Sequence, residues 1–176
     1  MLGDFNLLVS TSRRNERKAC NEFWYLLREA GDLSAEVEPS NISGLVVSKT
    51  SLDPVKAVEK LRNILLQKPW EFRYVLKVRP IQLIVPTDLG EIGAKAAELA
   101  SANIADGESF RVTVEKRRSG LGSREIVEEV AGRIGRKVNL EQPDKIVLIE
   151  VLGDITGISV IPPEAILSVE RERRAL

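Results

Sequence analysis

An α+β chain in two parts is predicted by three observations. Apolar segments over about the first 80 residues change period in the order strand, helix, strand, strand, helix, strand, which is the split βαβ, ferredoxin-like arrangement. Two prolines, Pro80 and Pro86, then interrupt the chain. Beyond them a helix, a long alternating strand, a glycine-bearing loop and a second amphipathic helix begin a separate α/β pattern. The expected division is an N-terminal domain of residues 1–79 and a second domain of residues 80–176.

Composition narrows the function classes. The 176 residues are 43% hydrophobic and 30% charged, the profile of an ordinary globular protein. Twenty-six basic residues balance 26 acidic ones, so any polyanion site must come from local segregation of charge. There is no histidine, which removes the commonest general base, the usual hydrolytic triad and most zinc sites. The single cysteine, Cys20, has no partner for an internal disulfide and reads as a small buried residue of a helix. No apolar run is long enough to span a bilayer and no signal pattern opens the chain, so the expected location is cytoplasmic.

In the first part, residues 5–10 are apolar and β-prone. Residues 15–30 carry a helical stripe of Ala19, Phe23, Leu26, Leu27 and Ala30, stopped by Gly31. Residues 33–37 and 45–48 are strand-like around a turn at 41–44. Asp53-Pro54 supplies a cap and a first-turn proline for a helix with Val55, Val58, Leu61 and Leu65 inside. Pro69 ends that helix, and residues 72–78 are again strand-like. Trp24 and Trp70 are expected in the core. Arg13 and Arg14 open the first helix, where basic charge opposes the dipole.

In the second part, residues 88–103 form an alanine-rich helix suited to close packing. From Ser109 the pattern alternates, with Phe110, Val112 and Val114 on one side and Arg111, Thr113 and Glu115 on the other. The strand ends in Lys116-Arg117-Arg118 and runs into Ser119-Gly120-Leu121-Gly122-Ser123. Ser123 is the expected N-cap of a helix whose stripe is Ile126, Val127, Val130 and Ile134. Three bases beside a helix N-terminus favour an anion, most naturally a phosphate. The glycines spell neither a P-loop nor a dinucleotide fingerprint, and a solvated basic loop is the plain alternative. Between Arg111 and Lys137 eight bases (Arg111, Lys116, Arg117, Arg118, Arg124, Arg133, Arg136, Lys137) face four acids, Glu115, Glu125, Glu128 and Glu129. A turn at Pro143-Asp144, a strand over 146–152, a hairpin at Gly153-Asp154 and a return strand over 157–161 follow. Glu150 and Asp154 read as strand exterior and turn former. A short helix from 164 to about 169 leads into a solvated, frayed charged end.

The second part resembles a THUMP domain. The motifs that carry the resemblance are Ser109-Phe110-Arg111-Val112-Thr113-Val114-Glu115-Lys116-Arg117, Ser123-Arg124-Glu125-Ile126, Gln142-Pro143-Asp144, Ile149-Glu150-Val151 and Gly153-Asp154, in that order. It covers about residues 80–170, and such proteins usually carry a ferredoxin-like domain before it. The resemblance implies capture of tRNA for a modifying enzyme. The stand-alone members look like the adaptor that assists an RNA cytidine acetyltransferase in forming N4-acetylcytidine.

The expected RNA contacts are Lys116, Arg117, Arg118 and Arg124 at phosphates, with Gly120, Gly122 and Ser123 giving close backbone approach. Arg133, Arg136 and Lys137 are secondary candidates, whereas Arg111 and Arg79 are expected in structural roles. No catalytic residue, metal or cofactor is expected. Two other classes compete: a stand-alone enzyme using the glycine loop, and a protein-interaction module whose basic loop meets an acidic partner.

Overall fold

The computed structural model describes residues Met1–Leu176. It is a mixed α/β chain with two five-stranded sheets and five α-helices. Two compact units divide it: Met1–Ile81 with Glu164–Leu176, and Gln82–Pro163.

The first unit runs β1 (Leu7–Ser10), α1 (Glu16–Glu29), β2 (Glu36–Pro39), β3 (Leu45–Lys49), α2 (Pro54–Gln67) and β4 (Lys77–Pro80). Its strands lie in the order β4-β1-β3-β2, each antiparallel to its neighbour. Leu7 and Val9 of β1 face Phe23 and Leu27 of α1 and Leu61 and Leu65 of α2 in one core. Each fully buried side chain of this size contributes about 1.5–3 kcal/mol. Asp53 caps α2 as expected, accepting from the N–H groups of Val55 and Lys56 at 3.0 and 3.1 Å. Asp32, at the end of α1, is fully buried and accepts from Thr50, Ser51 and Ser34. It ties the helix exit to the turn that starts α2.

Three expectations for this unit are corrected. Residues 72–76 are not strand, because the carboxylate of Glu22 accepts the N–H groups of Arg73, Tyr74 and Val75 at 2.7–2.9 Å. Those donors are satisfied by a side chain, so the ladder begins only at Lys77 and continues through Pro80. Trp24 and Trp70 lie at the surface, 43% and 68% exposed. The C-terminal segment belongs with this unit and not with the second. After a 3₁₀ turn at Pro163–Ala165, β10 (Leu167–Ser168) pairs with Val78 and Lys77, and α5 (Val169–Arg174) follows. The charged end is therefore helical, with Ser168 as its cap and Glu172 paired to Arg62 at 3.0 Å.

The second unit runs β5 (Leu83–Pro86), α3 (Leu89–Asn103), β6 (Ser109–Arg117), α4 (Ser123–Ala131), β7 (Lys137–Val138), β8 (Lys145–Leu152) and β9 (Ile155–Ile161). The sheet order is β5-β9-β8-β6-β7. Phe110, Val147, Ile149 and Ile158 from the sheet pack with Ile92 and Ala96 of α3 and Ile126 and Val130 of α4. Gly93 allows the helices to approach closely, since a Cβ there would sit 2.8 Å from the Glu129 side chain. Asp144 accepts from the N–H and Oγ of Ser109 at 2.8 and 3.1 Å, fastening the Gln142-Pro143-Asp144 turn to the start of β6.

Candidate nucleic-acid interface

Strand direction gathers the loops of the second unit. β6 is parallel to β8, while β5 and β8 are each antiparallel to β9, so β5, β6 and β8 all run the same way. The segments that leave them emerge at one edge of the sheet. These are residues 87–88 before α3, residues 118–122 before α4, and the hairpin at Gly153-Asp154. Both helices therefore direct their N-terminal N–H groups to this edge, where α/β sheets hold ligands.

The N-terminus of α4 is open. Gly122 occupies the cap position and no side chain accepts from the first turn, so Ser123 is the first helical residue and not the expected cap. The first intrahelical bond is from Ile126 N–H to Gly122, which leaves the N–H groups of Ser123, Arg124 and Glu125 directed outward. By contrast, Asp53 and Asp88 close the N-termini of α2 and α3. Lys116 reaches across the loop and donates to the Leu121 carbonyl at 2.8 Å, holding it closed with two ammonium protons to spare. Ser119 Oγ accepts from Leu121 N–H at 3.2 Å, and Gly120 stands in open space. Arg118 is exposed with φ of 55°, a left-handed conformation that costs a non-glycine residue about 1 kcal/mol. Arg124 is 91% exposed and pairs with Glu128 one helical turn away at 3.0 Å, an exposed pair of low energy that a phosphate can displace.

The ten expected contacts do not form one site. Lys116, Arg118, Gly120, Gly122, Ser123 and Arg124 gather at the edge just described. Arg117 is withdrawn from it: its guanidinium pairs with Glu150 at 3.3 Å. Lys137 lies beside Ser109 on β7, at the other end of β6 and about 23 Å from Lys116 by strand rise. Arg136 shares that end, fixed by the carbonyls of Ile104 and Ala105 and by Asp106 at 3.1 Å. Arg133, just past the C-terminal end of α4, is held by Glu129 at 2.7 Å. A helix of nine residues, about 14 Å long, keeps these two arginines from the open N-terminus.

Glu150 is fully buried and not on a strand exterior. Every residue of β8 from Ile146 to Leu152 is buried, so the residue alternating with Ile149 and Val151 has no water to reach. Arg111 donates to the Leu140 carbonyl at 2.9 Å. Arg79 is buried and donates to Ser10 Oγ at 2.9 Å. The sequence pattern did not point to one structural tie at the edge: the hydroxyl of half-buried Thr87 bonds that of fully buried Thr156 at 2.8 Å beside the start of α3. Only the Pro86-Thr87-Asp88 spacing before a helix hinted at it.

Comparison with known proteins bears on the fold. The THUMP domain model matches residues 86–161, so a THUMP domain lies within the second unit. Among solved structures, PH1313 from Pyrococcus horikoshii Ot3 superposes with a TM-score of 0.62 at 20% identity, over 90% of this chain and 55% of that one. TrmN from Thermus thermophilus gives 0.56 at 18% identity, over 88% of this chain and 44% of its own. A 4-thiouridine synthetase, solved as a complex with RNA and bound ATP, gives 0.55 at 14% identity, over 90% and 42%. At these identities the likeness is one of fold, and the chain spans about half the length of these proteins. No curated protein matches the sequence.

Proposed function

We propose that this chain is a noncatalytic adaptor that binds tRNA and presents it to a separate modifying enzyme, an RNA cytidine acetyltransferase forming N4-acetylcytidine. The observation that carries the RNA-binding part is the uncapped N-terminus of α4, flanked by Lys116, Arg118 and Arg124. Three outward N–H groups at the start of α4 and three cations around the loop before it suit a backbone phosphate, and Gly120 leaves room for the chain to approach. The THUMP match and a fold neighbour solved with RNA support the same ligand. The strand order β4-β1-β3-β2 supports assigning the first unit to the ferredoxin-like arrangement expected before such a domain. The adaptor role and its acetyltransferase partner come from the resemblance described above.

The test is tRNA binding across a salt series by the wild type and by Lys116→Glu/Arg118→Glu/Arg124→Glu, which leaves Arg117 in place. Each phosphate that the variant no longer neutralises flattens the log–log slope by about 0.7–0.9. Equal binding by the variant would sink the loop as the site. Failure of the wild type to bind tRNA would instead favour an acidic protein as the ligand of this loop. The adaptor role predicts no turnover by the purified protein and stimulation of the acetyltransferase, abolished in the same variant.

A further inference from the structure

The outward face of α1 is rich in cations and aromatic rings. Arg17, Lys18, Asn21, Trp24, Tyr25 and Arg28 are all exposed and share one side of the helix. Three cations, two aromatic rings and an amide stand there with no carboxylate among them. Next to this face, Tyr25 (60% exposed) and Trp70 (68% exposed) flank a groove of ≈ 220 Å³ whose lining also holds Leu26, Arg73 and the carboxylates of Glu22 and Glu71.

Glu22 and Glu71 line the groove and Glu29 is exposed beside it, each with partners within the unit. Glu22 is occupied by the three N–H groups of residues 73–75. Glu29 and Glu71 share Lys68, at 3.6 and 3.9 Å. Burial and the neighbouring Glu29 raise the pKa of Glu71. The cations are held over rings: Arg28 lies 4.9 Å from the centre of Trp24, and Lys18 and Arg73 lie 5.4 and 5.9 Å from that of Tyr74. A slot between aromatic rings, with Arg73 in its lining and the cations of α1 beside it, offers stacking faces and phosphate contacts to a polyanion that carries flat faces. Only unpaired bases offer those faces, because in a duplex each is stacked on its neighbours.

We propose that this groove takes a base of a single-stranded RNA segment, stacked on Tyr25 and Trp70, with Arg73 and the cations of α1 at the flanking phosphates. The inference rests on reading the chain as an RNA binder, and it does not depend on the loop before α4. It gives the first unit a sequence-tolerant grip on an unpaired stretch, separate from the phosphate site of the second.

The chain has two tryptophans, so Trp24→Phe leaves Trp70 as the sole reporter in the groove. The experiment titrates that variant with single-stranded oligouridylate, with a duplex RNA and with polyglutamate, following Trp70 fluorescence. Single-stranded RNA is expected to quench it, and Tyr25→Ala in the same background to weaken binding by about 5- to 150-fold, the range for one stacked base. Tyr25 is at the surface, so circular dichroism should show an unchanged fold. Quenching that survives in Lys116→Glu/Arg118→Glu/Arg124→Glu upholds the groove even if the loop proves not to bind tRNA. The proposal is overturned if Tyr25→Ala binds oligouridylate like its parent, or if duplex quenches as strongly as single strand. It is equally overturned if polyglutamate quenches as strongly, which would mark an acidic protein segment as the occupant.

Discussion

The guanidinium of Arg117 sits 3.3 Å from the carboxylate of Glu150, an acid with no exposed surface. Adjacent arginines at the end of β6 therefore have opposite duties, one satisfying a buried charge and the other facing solvent. Removing one partner of a buried pair costs about 3–5 kcal/mol. Because Arg117 is 23% exposed, Arg117→Ala is expected near the lower end of that range, read as a fall in the urea midpoint. Arg118→Gly relieves a left-handed arginine and should leave stability unchanged or raised by up to about 1 kcal/mol, while tRNA binding weakens.

The two ends of β6 give a second prediction. Arg124→Ala should lower tRNA affinity and flatten its salt dependence by about 0.7–0.9. Lys137→Ala should change neither, since Lys137 lies at the far end of the strand. Arg136→Ala should lower thermal stability by removing the bonds to Ile104 and Ala105, with tRNA affinity retained.

Acid should expose the role of Asp32. Burial alone would raise its pKa, but hydrogen bonds from Thr50, Ser51 and Ser34 outweigh that and hold it at about 2, below the ordinary 3.8. A depressed carboxylate stabilises the fold fully above its unfolded pKa, and the contribution is lost as pH falls through about 2. Asp32→Asn is expected to cost about 1–3 kcal/mol at neutral pH by leaving buried donors poorly satisfied. It should also show a shallower loss of stability between roughly pH 4 and pH 2, measured as urea midpoints across that window.

Cys20 should be inert in the folded protein. Burial first, and the charge of Glu38 second, push its thiol pKa up to about 11. At pH 8 the thiolate is then on the order of one part in a thousand. A thiol reagent should label Cys20 only as fast as the chain opens, and the rate should rise sharply above the urea midpoint.

Local pattern made much of this legible. Asp53-Pro54 announced α2 because a cap and a first-turn proline act within one turn. The alternation from Phe110 to Val114 announced β6 because one of its faces packs on helices. What stayed hidden depended on long-range partners. No local signal shows that Glu22 would intercept three N–H groups some 50 residues away and postpone β4. Glu150 looked like an outward residue because alternation locates faces without saying which are covered. The basic triplet was visible as charge, but its division into a structural Arg117 and an outward Arg118 required the buried acid opposite. Trp24 and Trp70 are left at the surface because Phe23, Phe72 and the leucines fill the core.

The late return of β10 to β4 has a consequence for synthesis. β1 can close one edge of β4 as soon as Pro80 has emerged, but the partner for the other edge is encoded more than 80 residues later. At about 5–20 residues per second, the ribosome leaves that edge unpaired for roughly 4 to 17 seconds. During this interval the nascent chain displays free ladder groups of the kind that template edge-to-edge association. A transcript cut short after the second unit would make that exposure permanent.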